Sequence, residues 1–233
     1  MKKLLFLLFL PPLIFANFFQ DRVKHVAPGD YIVTEQDKNI SLIRIHSFNK
    51  ERLFLEEISF PSPLTPSIRN EWQQWIFAGA KGHTSWVLYE IAIKEATVIR
   101  AYSYTRSSWV EMRDQSHFIS SLFHLSFTEE PAKMRKRVGP PPPPTEEIDR
   151  RTIWSPPAVV EGKALPCPKF SVYYVDWPKD GSELAGKTVE FYFADNYPFP
   201  FWIQVLGTGN TVVSKVIDSG RNLSSLYPDL PSK

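Results

Sequence analysis

The sequence predicts a mainly β, β-rich α+β protein: a curved antiparallel meander sheet or half-open barrel with short helices packed on it. Short runs of β-branched and aromatic residues alternate with polar ones at the period of two that a half-buried strand imposes. Several joints between them are only a few residues long, as in "DKN" and "NKE", too short for a parallel crossover. Aromatics make up 14% of the chain and glycines only 10 of its 233 residues, which favours pleated, side-chain-rich surfaces.

The chain begins MKKLLFLLFLPPLIFA, with Lys2 and Lys3, then an apolar stretch from Leu4 to Phe15, then Ala16. That order reads as a secretory signal peptide over 1–16, cut between Ala16 and Asn17. The stretch is too short to span a bilayer and is interrupted by Pro11 and Pro12, so no membrane span is expected in the mature chain. The expected location is the periplasm or cell envelope of a Gram-negative bacterium. Without the leader's two lysines, the 27 basic residues fall level with the 25 acidic ones. A neutral mature chain gives no electrostatic case for nucleic acid as a partner. A lone cysteine, Cys167, makes no intrachain disulfide.

The N-terminal region, 17–130, reads as a β-meander with an aromatic helix. Strands are expected over 30–36, 40–48, 52–60, 84–93 and 96–105. Between them, 65–82 carries Thr65 as a helix cap with Pro66 behind it. Trp72, Trp75, Ile76 and Gly79 fall at i, i+3, i+4 and i+7, and Gly79 and Gly82 supply the stop. A second short helix over 116–127 has Phe118, Ile119, Leu122 and Phe123 on one face. The region 131–168 reads as a Pro-rich connector holding the stiff run Pro140 to Pro144. A C-terminal meander, 169–233, follows in one continuous domain with the first, with strands over 170–177, 187–195, 199–207 and 211–220. Phe199, Phe201, Ile203 and Val205 form one apolar face, Trp202 faces the other way, and Gly207 to Asn210 make a hairpin turn.

No motif calls for a cofactor or a metal. The five histidines lack ligand spacing, and no nucleophile elbow or phosphate loop is present. Glu56 and Glu57 point to opposite strand faces, which is wrong for a paired acid and base.

The plan of signal peptide, β-meander, aromatic helix and second meander resembles periplasmic lipoprotein carriers of the LolA/LolB type. The resemblance implies a half-open barrel lidded by helices around an acyl-chain cavity. The leading expectation is a non-catalytic exported protein that binds an apolar ligand such as a lipid or acyl chain, with Trp72, Trp75, Trp86 and Phe118 as wall residues. A second is an envelope interaction module that binds a protein or glycan through an exposed aromatic-proline surface of Trp154, Tyr197 and Trp202. A third is an enzyme with a dispersed site, which needs convergent carboxylates or a Cys167–His pair in a cleft.

Overall fold

A computed structural model of the chain describes residues 18–232 apart from 69–70, 113–120, 123, 142, 144–148, 196 and 208. The expected leader, Phe118, the start of the 116–127 helix and part of the Pro140–Pro144 run lie outside the described residues.

The strands are β1 (Tyr31–Gln36), β2 (Asn39–Phe48), β3 (Arg52–Pro61), β4 (Ser85–Ala92), β5 (Thr97–Ser103), β6 (Ser108–Glu111) and β7 (Thr128–Glu129), then β8 (Arg137–Val138), β9 (Thr152–Ile153), β10 (Val159–Val160) and β11 (Lys163–Ala164). The last four are β12 (Ser171–Asp176), β13 (Thr188–Phe193), β14 (Trp202–Val205) and β15 (Thr211–Gly220). Eleven of them form one sheet in the order β6-β5-β4-β3-β2-β1-β15-β14-β13-β12-β7, every pairing antiparallel and the two edges left apart. The two meanders meet where β1 pairs with β15, from Tyr31 opposite Gly220 to Glu35 opposite Lys215. The Pro-rich connector is not featureless: β8–β9 and β10–β11 make two small ribbons.

The helical region differs in detail from the sequence reading. A 3-10 turn over Ser62–Leu64 leads into α2 (Thr65–Ile68), with α1 being Phe18–Val23 and α3 Trp72–Phe77. Thr65 does not cap, because its backbone is already helical and its hydroxyl meets no partner. The stop is as expected. Gly79 takes φ +78°, its N–H donates to the Ile76 carbonyl, and the Ala80 N–H donates to the Trp75 carbonyl, two bonds that satisfy the last carbonyls of α3.

A second difference lies at 199–205. Pro198 and Pro200 lack the N–H a ladder needs, so the strand starts only at Trp202. Phe199 and Phe201 therefore do not extend the face of Ile203. They join Phe170 and Tyr192, while Ile203 packs with Phe191 and Phe193.

Both faces of the sheet carry apolar cores. On β1, Ile32 enters one cluster while Tyr31 and Val33 enter another with Leu42, Phe60, Trp72 and Trp75. On β13, Tyr192 enters the first cluster and Phe191 and Phe193 a third, capped by Leu122, Trp177 and Leu184. Burial on both sides is why these strands read as nearly continuous apolar runs.

Helix α1 reveals how strongly the sheet curls. Gln20 donates to the Lys94 carbonyl just past β4 (2.7 Å), and Arg22 donates to the Ala194 and Tyr197 carbonyls just past β13 (2.8 and 3.0 Å). In a flat sheet the ends of β4 and β13 lie six steps apart, about 29 Å at the usual strand spacing. Two side chains two residues apart on one helix span on the order of 20 Å. The sheet must bend to bring those ends together, and α1 is the tie across the bend.

One buried ion pair is fully answered by hydrogen bonds. Arg44 and Glu56, opposite each other on β2 and β3, form an ion pair at 4% and 1% exposure. Glu56 also accepts from the Trp86 indole (2.7 Å) and the Ser225 hydroxyl (3.0 Å), and Arg44 donates to the Leu223 carbonyl (2.8 Å). Removing one partner of such a pair strands a charge, so Glu56→Gln is expected to lower stability by about 3–5 kcal/mol. The double variant Arg44→Met/Glu56→Leu recovers part of that loss, because it leaves no charge stranded. Urea midpoints of the three proteins check both statements.

Candidate functional site

The described aromatic residues singled out in the sequence fall into two separate groups rather than lining one cavity. Trp72, Trp75 and Trp86 are all buried in one packed cluster with Phe60. Their indole N–H groups are spent inside the fold: Trp72 on Asp218 (2.6 Å), Trp75 on the Lys81 carbonyl (3.0 Å) and Trp86 on Glu56. Trp72 borders a polar cleft of about 320 Å³ shared with Gln73, Glu161, Asp218 and Arg221.

Trp154 and Trp202 do meet, edge to face at 5.8 Å, with Trp154 also against Tyr192 at 5.5 Å and Lys136 over its ring. Tyr197 packs instead on Phe201 and donates to the Gly220 carbonyl (3.2 Å). All three rings are half-buried against the fold, so they do not form a flat solvent-facing row.

Beneath Trp154 and Trp202 lies a carboxyl network. Buried Glu190 accepts from the Tyr192 hydroxyl (2.8 Å) and from Gln204, whose amide oxygen in turn accepts from the Trp202 indole (3.1 Å). Glu130 faces Glu190, and its Oε2 is buried with no donor to meet it. Burial, then the charge of Glu190 and a shared proton, push the Glu130 carboxyl above the ordinary carboxylate range, with Arg135 opposing. Two carboxyls close enough to share a proton are nearer than the roughly 5 Å or more that separates the acid and nucleophile in sugar hydrolysis. Cys167 is exposed, and among the described residues no three His, Cys, Asp or Glu side chains gather as a metal-holding group. No described helix is long and apolar enough to cross a membrane.

One cleft does have the form of a ligand site. It lies where α1 meets the β2–β3 and β4–β5 turns, and its volume is about 380 Å³. Val23, Ile93 and Phe48 supply its apolar surface, and Phe48 is 40% exposed there. Lys24, Lys50 and Lys94 rim it with Gln20 and Asn49, and no acidic residue lines it. Lys24 is answered by Asp21 at 2.6 Å, whereas Lys50 and Lys94 have no acidic partner among the described residues. Each lysine is placed by local structure. The Asn49 side chain accepts from the Glu51 and Arg52 N–H groups and so folds the turn carrying Lys50. The Lys94 carbonyl is the one that Gln20 holds, which ties its turn to α1. A cleft of this size falls in the range of small-molecule sites. The sequence reading missed these lysines, though a signal existed: in a meander alternate turns share an end, so "NKE" and "IKEA" are brought side by side.

A family model described as "CT021 protein" matches residues 41–166. A solved structure at 2.0 Å resolution, the hypothetical protein CT021 from Chlamydia trachomatis, is similar to this chain at 21% identity and a TM-score of 0.64. The alignment covers 92% of this chain and 98% of that one. At that identity the likeness speaks for the fold. No curated protein matches the chain.

The Glu130–Glu190 contact has a consequence for stability. A carboxyl raised in the folded state holds its proton there after the unfolded chain has lost it. Stability is therefore full below the ordinary carboxylate range and declines as pH rises through the folded value. Urea midpoints are expected to fall as pH rises above the ordinary carboxylate range, and Glu130→Gln to flatten that fall.

Proposed function

We propose that this chain, which belongs to the CT021 protein family, is an exported, non-catalytic binding protein of the bacterial envelope whose ligand is an amphiphile with an apolar body and an anionic head. The observation that carries the reading is the cleft at α1, with Val23, Ile93 and Phe48 facing the space and three lysines around it. An acyl chain removes the apolar surface of Phe48 from water, and a carboxylate or phosphate head meets Lys50 and Lys94 at the rim. A neutral apolar ligand leaves the lysines unused, and a small hydrophilic anion leaves the floor wet, so a fatty acid or a lipid with an anionic head fits best. The leader-like composition of residues 1–16 supports an envelope setting for such a ligand, as does the resemblance to lipoprotein carriers.

An interaction-module reading has separate support in the way the C-terminal residues lie across the sheet. A dispersed enzyme site has less, because Glu130 and Glu190 face each other rather than a space where a substrate would sit.

The test is titration of the purified mature protein with a fluorescent fatty acid. Saturable uptake is expected, weakened about tenfold or more by the double variant Lys50→Glu/Lys94→Glu and by raised salt. Phe48→Ala is expected to weaken uptake with no change in salt dependence. No saturable uptake, or equal uptake by the wild type and the lysine variant, contradicts the reading.

A further inference from the structure

After β15 the chain does not leave the fold. Residues 221–232 cross the sheet from the start of β1 to the edge strand β6. The Leu223 N–H donates to the Gly29 carbonyl (2.9 Å), and Arg44 on β2 donates to the Leu223 carbonyl (2.8 Å). The Gln73 side chain clamps Ser224 from both sides, its amide donating to the Ser224 carbonyl (3.2 Å) and accepting from the Ser224 N–H (2.7 Å). His46 contacts the Tyr227 carbonyl (2.9 Å), and the indole of Trp109 on β6 donates to the Ser232 carbonyl (3.1 Å).

Nearly all of these bonds go to the tail's main chain. Side chains are read at few places. Leu223 is buried and Leu226 packs on the same cluster. Tyr227 stacks face to face on Tyr104 at 4.5 Å and lies 5.2 Å from Trp86, with Tyr102 and Trp109 continuing the aromatic row. Ser225 reaches Glu56. Tyr227 itself remains 41% exposed and Leu230 44%.

We infer that this track over β2 to β6 is a peptide-binding groove filled in cis by the C-terminal tail. Its partner in trans is an extended segment of another polypeptide bearing an apolar residue four positions before a Tyr-Pro pair, as Leu223 stands to Tyr227 and Pro228. A groove that bonds to main-chain carbonyls tolerates different sequences, and one that reads an apolar anchor and a stacked tyrosine still selects among them. The tail's own attachment is graded: firm at Leu223 and Ser224, then mostly exposed from Pro228 to Leu230, with Ser232 held at one atom. Such a strap loosens first over its exposed stretch at Pro228 to Leu230 while the sheet stays folded. The cis tail sets the affinity a partner must overcome, since a competent groove that is rarely empty binds weakly in proportion to the time it is open.

The test uses the full-length mature chain and a fluorescein-labelled peptide of residues 221–232, read by fluorescence anisotropy. Weak binding to wild type is expected, tightened about tenfold or more by Tyr227→Ala, which loosens the cis tail and leaves the groove intact. Trp109→Ala in that background is expected to undo the gain. Equal binding by wild type and Tyr227→Ala overturns the inference, as does self-association of the full-length chain through exchanged tails in place of peptide uptake. Should Tyr227→Ala not fold, hydrogen exchange on wild type decides. Tail amides that exchange well before those of β4 support a groove that empties, and tail amides that exchange only with β4 overturn it.

Discussion

The pairing of β1 with β15 is the constraint on which the rest of this structure depends. It joins two meanders that each hold together through short local hairpins but are far apart in sequence. The register permits almost no latitude. Tyr31 lies opposite Gly220, and a Cβ on that glycine would come within 2.6 Å of the Tyr31 ring. Two residues beyond this pair on the same two chain segments, Gly29 sits at φ +89°, where a Cβ would lie 3.0 Å from the backbone of Asn222. Glycine is needed at both points because backbone and ring approach too closely for any side chain. Closing a loop of this length costs entropy that grows only slowly with length, and the apolar surface buried on both faces of the joined sheet offsets it.

Both candidate binding features follow from that seam. With the meanders joined, the sheet is wide enough to curl, and the curl lets α1 reach from the β4–β5 turn to the loop after β13. The lysine-rimmed cleft is the space left beside that tie. The same seam delivers the chain at Arg221 to the edge of β1, pointed across β2, where the buried Arg44–Glu56 pair awaits its main chain. An ion pair of this kind contributes little net stability by itself. Here it orients donors and acceptors toward the tail, a role that an apolar pair of the same volume does not fill.

The longer strands were legible in the sequence because ten-residue segments such as β2 and β3 are rich in branched and aromatic apolar residues and are bounded by short polar joints. The two-residue strands β7 to β11 carry no such pattern, and only tertiary contacts make them strands. Gly79 marked the end of α3 because the left-handed turn needed there favours glycine. The role of the tryptophans was not legible. Trp72 and Trp86 look like cavity walls in sequence because nothing nearby accepts their indole protons. Their acceptors, Asp218 and Glu56, are brought in from distant strands. The lysines of the cleft were within reach of the sequence through the parity of the turns. The lie of the tail was not, since "RNLSSLYPDLPS" has neither strand nor helix period.

Native-state hydrogen exchange, followed peptide by peptide, is the most direct test of the seam. The amides of β1 and β15 are expected to exchange as slowly as those of β3 and β13, all through one global opening. Fast exchange along β1 and β15 while β3 and β13 stay protected would contradict this account, because it would mean two separate meanders laid side by side.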